Sequence, residues 1–210
     1  RSVPTTLSQN RNYLAATTVG NYALFGGGST SFFMDAYDAS LVRSVPTTLS
    51  QNRNYLAATT VGNYALFGGG STSFFMDAYD ASLVRSVPTT LSQNRNYLAA
   101  TTVGNYALFG GGSTSNSDSS IVDAYDASLV RSTPTALSQA RAYSAATTVG
   151  NYGLFGGGSP TSNSYSSTVD AYNTSLVRST SKALSQARWA LAATTVGDYV
   201  LFGGGSTGYT

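Results

Sequence analysis

Residues 1–42 and 43–84 of this chain are identical, and residues 85–115 reproduce 1–31 without a change. Near-exact internal copying constrains the fold more than any other feature, because each copy must be one supersecondary unit that buries its apolar face against its neighbours. Copies start at Arg1, Arg43, Arg85, Arg131 and Arg178, with periods of 42, 42, 46 and 47 and a final partial copy of 33 residues. The expectation is a single domain over residues 1–210 built from five copies, the last incomplete.

Inside one copy the pattern is that of short strands. Gly triplets, Thr pairs and β-branched residues interrupt every 3.6-residue stripe that a helix would need. The reading gives a first strand at Ala15-Ala16-Thr17-Thr18-Val19 and a second at Tyr22-Ala23-Leu24-Phe25. Gly20-Asn21 joins them as a tight hairpin, both residues tolerating positive φ. Gly26-Gly27-Gly28 then allows a sharp exit where no Cβ would fit. A third strand lies around Met34-Asp35-Ala36-Tyr37, a turn at Asp38-Ala39-Ser40, and a fourth strand through Leu41–Val45, followed by Pro46. Four antiparallel strands per period of this length, repeated radially, define an all-β fold of the β-propeller type.

Composition narrows the chemistry. The chain has no Cys and no His, and only 10% of its residues are charged. It therefore lacks a disulfide framework, thiolate metal sites, the commonest metal ligand and the commonest general base. No metal and no cofactor is expected. A net charge of +2, scattered along the chain, does not suit nucleic acid. No stretch approaches the roughly 18 apolar residues of a membrane-spanning helix, so no membrane insertion is expected. Arg1 opens no charged-then-apolar leader, and the chain reads as a soluble, mature piece.

The residues resemble the kelch repeat family. The ordered set Arg11, Ala15-Ala16, Gly20-Asn21-Tyr22, Phe25-Gly26-Gly27 and Asp35-Ala36-Tyr37-Asp38 carries the likeness. It recurs as Arg95, Tyr106, Gly110-Gly111 and Tyr125, and as Arg141, Tyr152, Gly156-Gly157 and Tyr172. The usual tryptophan after the tyrosine is replaced by Leu41, Leu83, Leu129 and Leu176. The resemblance implies a five-bladed propeller of four antiparallel strands per blade, the fifth completed by both chain ends, with residues 1–8 as its closing strand. An unclosed ring would expose sheet faces and edges and invite self-association.

Strand alternation sorts the loops onto two rims. The second-to-third connections vary in length: six residues separate Gly28 from Asp35, ten Gly112 from Asp123 and eleven Gly158 from Asp170. Variable loops on a rigid scaffold favour that rim as the binding face. The same rim carries candidate ligand-binding arginines at Arg11, Arg53, Arg95, Arg141 and Arg188, with aromatic companions Tyr13, Tyr55, Tyr97, Tyr143 and Trp189. Arginine forks suit carboxylate, phosphate or sugar oxygens, and flat rings stack on a sugar or base. In kelch domains the matching arginines line the ligand rim. The bland alternatives are packing between blades for the tyrosines, and loop carbonyls or Asp partners for the arginines.

Other signals carry less. Gly203–Gly208 matches G-x-G-x-x-G, but no helix follows, so the dinucleotide reading fails. Asp35 and Asp38 read as turn caps and surface ion pairs, with no basic partner evident from spacing. Asn116–Ser120 lacks the glycine and glutamate of a calcium loop and reads as a polar loop. Asn173-Thr174-Ser175 is a glycosylation sequon. The functional expectation is a non-enzymatic binding or structural module that presents one rim to a glycan or protein partner at an extracellular or particle surface, as in the kelch-type arrays of bacterial and phage surface proteins. The alternatives are an engineered or recently amplified scaffold without a selected ligand, and a kelch-fold carbohydrate-active enzyme, for which Tyr and Asp alone remain as catalytic candidates.

Overall fold

A computed structural model describes residues 3–29, 31–71, 73–161 and 164–208. Arg1, where the first copy starts, and Tyr209-Thr210, which end the last, lie outside the described residues. The fold is all-β. The first sheet comprises β1 (Ala15–Val19), β2 (Tyr22–Gly26), β3 (Met34–Tyr37) and β4 (Arg43–Ser44). The second repeats it as β5 (Ala57–Val61), β6 (Tyr64–Gly68), β7 (Met76–Tyr79) and β8 (Arg85–Ser86). The third holds β9 (Ala99–Val103), β10 (Tyr106–Gly110), β11 (Val122–Tyr125) and β12 (Arg131–Ser132). The fourth holds β13 (Ala145–Val149), β14 (Tyr152–Gly156), β15 (Val169–Asn173) and β16 (Arg178–Thr180), and the fifth has β17 (Ala192–Val196) and β18 (Tyr199–Gly203). Each four-stranded sheet runs in sequence order with antiparallel neighbours.

The inner strands stand side by side in chain order, β1 against β5, β5 against β9, β9 against β13 and β13 against β17. This arrangement is a β-propeller of five blades. Threonine hydroxyls link its inner strands from blade to blade. Thr59 and Thr102 are 2.8 Å apart, Thr101 and Thr148 2.7 Å, and Thr147 and Thr195 3.0 Å. The Thr-Thr pair in each AATTV strand thus satisfies polar groups that would otherwise crowd the axis unpaired.

Glycine at the end of the second strand in each of the first four blades makes room for the next blade. A Cβ on Gly68 would stand 2.9 Å from Phe109 Cε1, and one on Gly110 would stand 2.8 Å from Phe155 Cε1. Each such Phe lies edge-on to the tyrosine of its own third strand, with Phe109 and Tyr125 ring centres 6.0 Å apart. Ala57, Val61, Leu66, Met76 and Ala78 of the second blade close over Ala107, Phe109 and Tyr125 of the third in one buried cluster. Each fully buried Leu or Phe there contributes about 1.5–3 kcal/mol, so the cores between blades hold the array together.

Two local expectations change. The Gly-Asn hairpin uses positive φ only at its glycine, 53° at Gly20, while Asn21 stays in the ordinary region. Gly20 instead packs on Ala81, placing the hairpin of one blade against the Asp-Ala-Ser turn of the next on a shared rim. The fourth strand shrinks to Arg43–Ser44, because Leu41 turns to a φ of 61° and Asp38 Oδ1 accepts hydrogen bonds from the Ser40 and Val42 amides.

A larger correction concerns closure. Among the described residues, 3–8 pair with no strand of the fifth blade, and Arg1 and Ser2, the counterparts of the fourth-strand pair Arg43–Ser44, lie outside them. The described part of that segment lies on the first blade, where Tyr37 donates to Thr5 O at 2.7 Å, Arg43 donates to Thr6 O at 2.6 Å, and the Ser8 amide and hydroxyl donate to Asp35. The reason is the buried Asp35, whose oxygens need those donors; the same Ser–Asp contact recurs between Ser50 and Asp77. Among the described residues the fifth sheet has two strands, and β17 does not pack on β1 as the other inner strands pack on one another.

Candidate functional site

The repeated arginines are structural. In each of the first four blades the guanidinium turns inward to an aspartate of the third strand: Arg11 to Asp35, Arg53 to Asp77, Arg95 to Asp123 and Arg141 to Asp170, with both side chains of every pair inaccessible to solvent. The remaining donors close the second-to-third connection. Arg95 Nη1 donates to the carbonyls of Gly111 and Ile121, both at 2.7 Å. A second arginine, from the fourth strand, reaches the other carboxylate oxygen, as Arg131 does to Asp123 at 3.0 Å. Burial lowers the pKa of Arg53 and Arg95, and the adjacent aspartates oppose that shift.

These four guanidinium groups are thus turned to buried aspartates and loop carbonyls rather than presented at the rim, and the third-strand aspartates are buried rather than at the surface. The basic partner that sequence spacing failed to reveal lies 24 residues upstream in the first copy. For Asp38 the turn-cap reading fits the structure, and Asp80, Asp126 and Asn173 repeat it. Arg188 differs from its four counterparts. It is half-buried and donates to Gly204 O at 2.5 Å.

The aromatics do gather on one rim. Tyr13, Tyr55, Tyr97 and Tyr143 form a ring-to-ring ladder with centres 4.2, 4.2 and 4.1 Å apart. Each takes the left-handed conformation, with φ from 53° to 59°, a state that costs a non-glycine residue roughly 1–2 kcal/mol. Backbone bonds from blade to blade hold that geometry. The Tyr55 amide donates to Tyr13 O, Tyr97 to Tyr55 O, Tyr143 to Tyr97 O, and Ala190 to Tyr143 O, all at 3.0 Å. In the last copy Ala190 takes the tyrosine place and Trp189 stands one residue earlier.

That shift of one residue builds a pocket. Trp189 meets Tyr143 edge-on at 5.0 Å and stacks with Tyr165 at 6.3 Å. A cavity of about 350 Å³ lies between them, lined also by Asp118, Ser113, Ser159 and Thr161. Its walls come from three copies, because the long connections of the third and fourth blades lean over the first turn of the fifth. The Trp189 indole N–H is buried and finds no acceptor among the described residues. Aromatic faces, one carboxylate and several hydroxyls around a shallow polar cavity can stack on one ring and bond its hydroxyls. Sequence reasoning reached Tyr143 and Trp189, and missed Tyr165 and Asp118. The length difference between connections was the available signal, and it marked the loops without marking which side chains face inward. The first two blades have shorter connections carrying stacked pairs, Phe32–Phe33 and Phe74–Phe75 at 5.2 Å, in place of this pocket.

Fold and rim together define the class: a β-propeller with a structural arginine–aspartate pair in each complete blade and an aromatic, loop-built pocket on one rim. Among solved structures the chain is similar to that of YjhT, with a TM-score of 0.77 and 13% identity over 94% of this chain and 78% of that one. At that identity the likeness concerns the fold. No family model and no curated protein matches the sequence.

Proposed function

We propose that this propeller is a non-enzymatic, kelch-type binding module that takes a neutral saccharide on its aromatic rim. The observation that supports the reading is the cavity of about 350 Å³ between Trp189, Tyr165 and Tyr143 with Asp118 beside it. Aromatic faces stack on the C–H face of a sugar ring, while Asp118 accepts hydrogen bonds from its hydroxyls and repels an acidic sugar. Four of the five repeated arginines are held in buried ion pairs, which argues against a carboxylate or phosphate ligand there. The ladder Tyr97–Tyr55–Tyr13 extends the aromatic surface beyond the pocket, which suits an oligosaccharide over a monosaccharide. Absence of His and Cys leaves the usual acid–base and redox roles unfilled and supports binding over catalysis.

The test is a glycan array followed by titration of the selected sugar, read by quenching of Trp189, the single tryptophan. Saturable binding of neutral glycans, weakened at least about tenfold by Tyr165→Ala in a chain of unchanged melting temperature, is the expected result. Absence of glycan binding, or binding indifferent to Tyr165→Ala, overturns the proposal.

A further inference from the structure

Oxidisable rings run in contact along the rim. Trp189 stands 5.0 Å from Tyr143, and the tyrosine ladder continues from there with ring centres 4.1 Å apart for Tyr143–Tyr97 and 4.2 Å for Tyr97–Tyr55 and Tyr55–Tyr13. The tyrosine spacings are closer than the roughly 4.5–7 Å at which aromatic pairs usually settle. Orbital overlap between rings decays steeply with the gap, so neighbours at this distance exchange an electron readily.

The turn that carries these rings does not demand them. Ala190 takes the same left-handed place in the last copy at a φ of 53°, the value Tyr97 has, so a methyl is enough to hold the backbone there. The third-strand tyrosines stand in contrast. Tyr125 donates to Thr89 O and meets Phe109 at 6.0 Å, and a phenylalanine ring has no hydroxyl hydrogen to give up.

The two sides of the first contact differ in what they do with a proton. The Trp189 N–H is buried and has no acceptor among the described residues, so an oxidised indole keeps its proton and stays electron-poor. The phenols interact with one another: a hydrogen bond with Tyr55 raises the pKa of Tyr13, and burial followed by a hydrogen bond with Tyr143 raises that of Tyr97. Tyr55, Tyr97 and Tyr143 are half-buried, which leaves part of each open to water.

We infer that this row is a path for one-electron oxidation, through which the ladder tyrosines restore Trp189 after attack by a radical oxidant of the peroxyl class. The peroxyl radical takes one electron from Trp189 and one proton from water and becomes a hydroperoxide, leaving the indole as a radical cation. Tyr143 then gives Trp189 an electron and gives its phenolic proton to water; the indole is whole again and Tyr143 is a neutral radical. Between phenols the electron and proton move together. Tyr97 passes a hydrogen atom to Tyr143 and becomes the radical in turn, and Tyr55 repeats the step. A soluble thiol ends the sequence by giving a hydrogen atom to the tyrosine that holds the radical, and leaves as a thiyl radical. The inference stands on ring spacing and is independent of the saccharide reading.

In the 210-residue chain a laser pulse at the red edge of tryptophan absorption photoionises Trp189, the single tryptophan, while hexaamminecobalt(III) takes up the ejected electron. Transient absorption follows indole and phenoxyl radicals, and a nitroso spin trap with peptide mass spectrometry marks where the radical settles. The expected result is decay of the indole radical matched by growth of phenoxyl, with adducts at Tyr97 or Tyr55. Tyr143→Phe keeps a ring in the gap but has no hydrogen to give, and is expected to lose the phenoxyl signal. Tyr97→Phe is expected to keep that signal and confine the adduct to Tyr143. Indole decay without phenoxyl growth, phenoxyl growth undiminished in Tyr143→Phe, or adducts in the unaltered chain confined to Tyr143 or Tyr165 overturns the inference.

Discussion

Hairpins β9–β10 and β17–β18 share nearly the same sequence, AATTVGNYALFG and AATTVGDYVLFG, yet they occupy opposite environments. Val103 and Leu108 are fully buried, whereas Val196 is 59% and Leu201 53% exposed. Nothing in the hairpin itself produces the difference. Burial here belongs to the interface between blades: the third blade is covered by the fourth, while among the described residues the inner strand of the fifth packs on that of the fourth and not on that of the first. The same residues form the same strands with the same register in both places, so the local fold is independent of that cover, while the energy stored in it is not.

The sharpest way to break this comparison is through the arginines. Arg95→Ala leaves Asp123 buried without its cation and frees the carbonyls of Gly111 and Ile121, a loss of about 3–5 kcal/mol. Arg188→Ala removes one exposed contact and is expected to cost less than about 1 kcal/mol. Urea unfolding of the two variants measures the contrast, and equal losses would refute the assignment of the first four arginines to the framework.

Glycine gives the next largest contrast. Gly110→Ala drives a methyl into Phe155 and is expected to cost about 1–3 kcal/mol by overpacking. Gly203→Ala meets nothing within 4 Å and is expected to leave stability unchanged or raise it by about 0.4–1 kcal/mol. Thermal unfolding of both variants checks the notch; a destabilised Gly203→Ala would mean that the face of β18 is covered in solution.

The smallest effect is alkaline. Burial raises the pKa of Tyr79, Tyr125 and Tyr172 above the ordinary phenol value of 10.0, and their hydroxyls donate to Thr47 O, Thr89 O and Thr135 O. A raised folded-state pKa means that the folded chain favours the neutral phenol. Its contribution is intact below pH 10.0 and is lost as pH rises beyond that value. Tyr125→Phe is expected to lower stability at neutral pH by about 0.5–1.5 kcal/mol and to flatten the decline above pH 10.0, both read from melting temperatures across pH. An unchanged slope would place that phenol in water.

Much of this fold is legible in the linear pattern. AATTV, YALF and MDAY each name a strand, and the structure places them at Ala15–Val19, Tyr22–Gly26, one residue longer than read, and Met34–Tyr37. Strand-forming runs, turn glycines and the repeat length are local signals and survive translation into three dimensions, with alternating burial in AATTV strands such as β5 and β9. The site was less legible. Arg11 reads as a rim cation because an arginine in a polar Gln-Asn-Arg-Asn run looks solvated. Only the fold brings Asp35 beneath it and the loop carbonyls around it. Trp189 was visible as an aromatic out of register, but its partners Tyr165 and Asp118 sit in connections without regular structure, where sequence periodicity says nothing about direction.

Copy number, strand order within a blade and the position of each turn were determined by the sequence, because hydrogen-bond ladders and φ preferences act over a few residues. Tertiary structure decided which arginines are buried, what residues 3–8 bond to and which hairpin faces are covered. Those outcomes depend on whether a neighbouring blade is present to exclude water, and identical repeats carry no mark of which neighbours they will have.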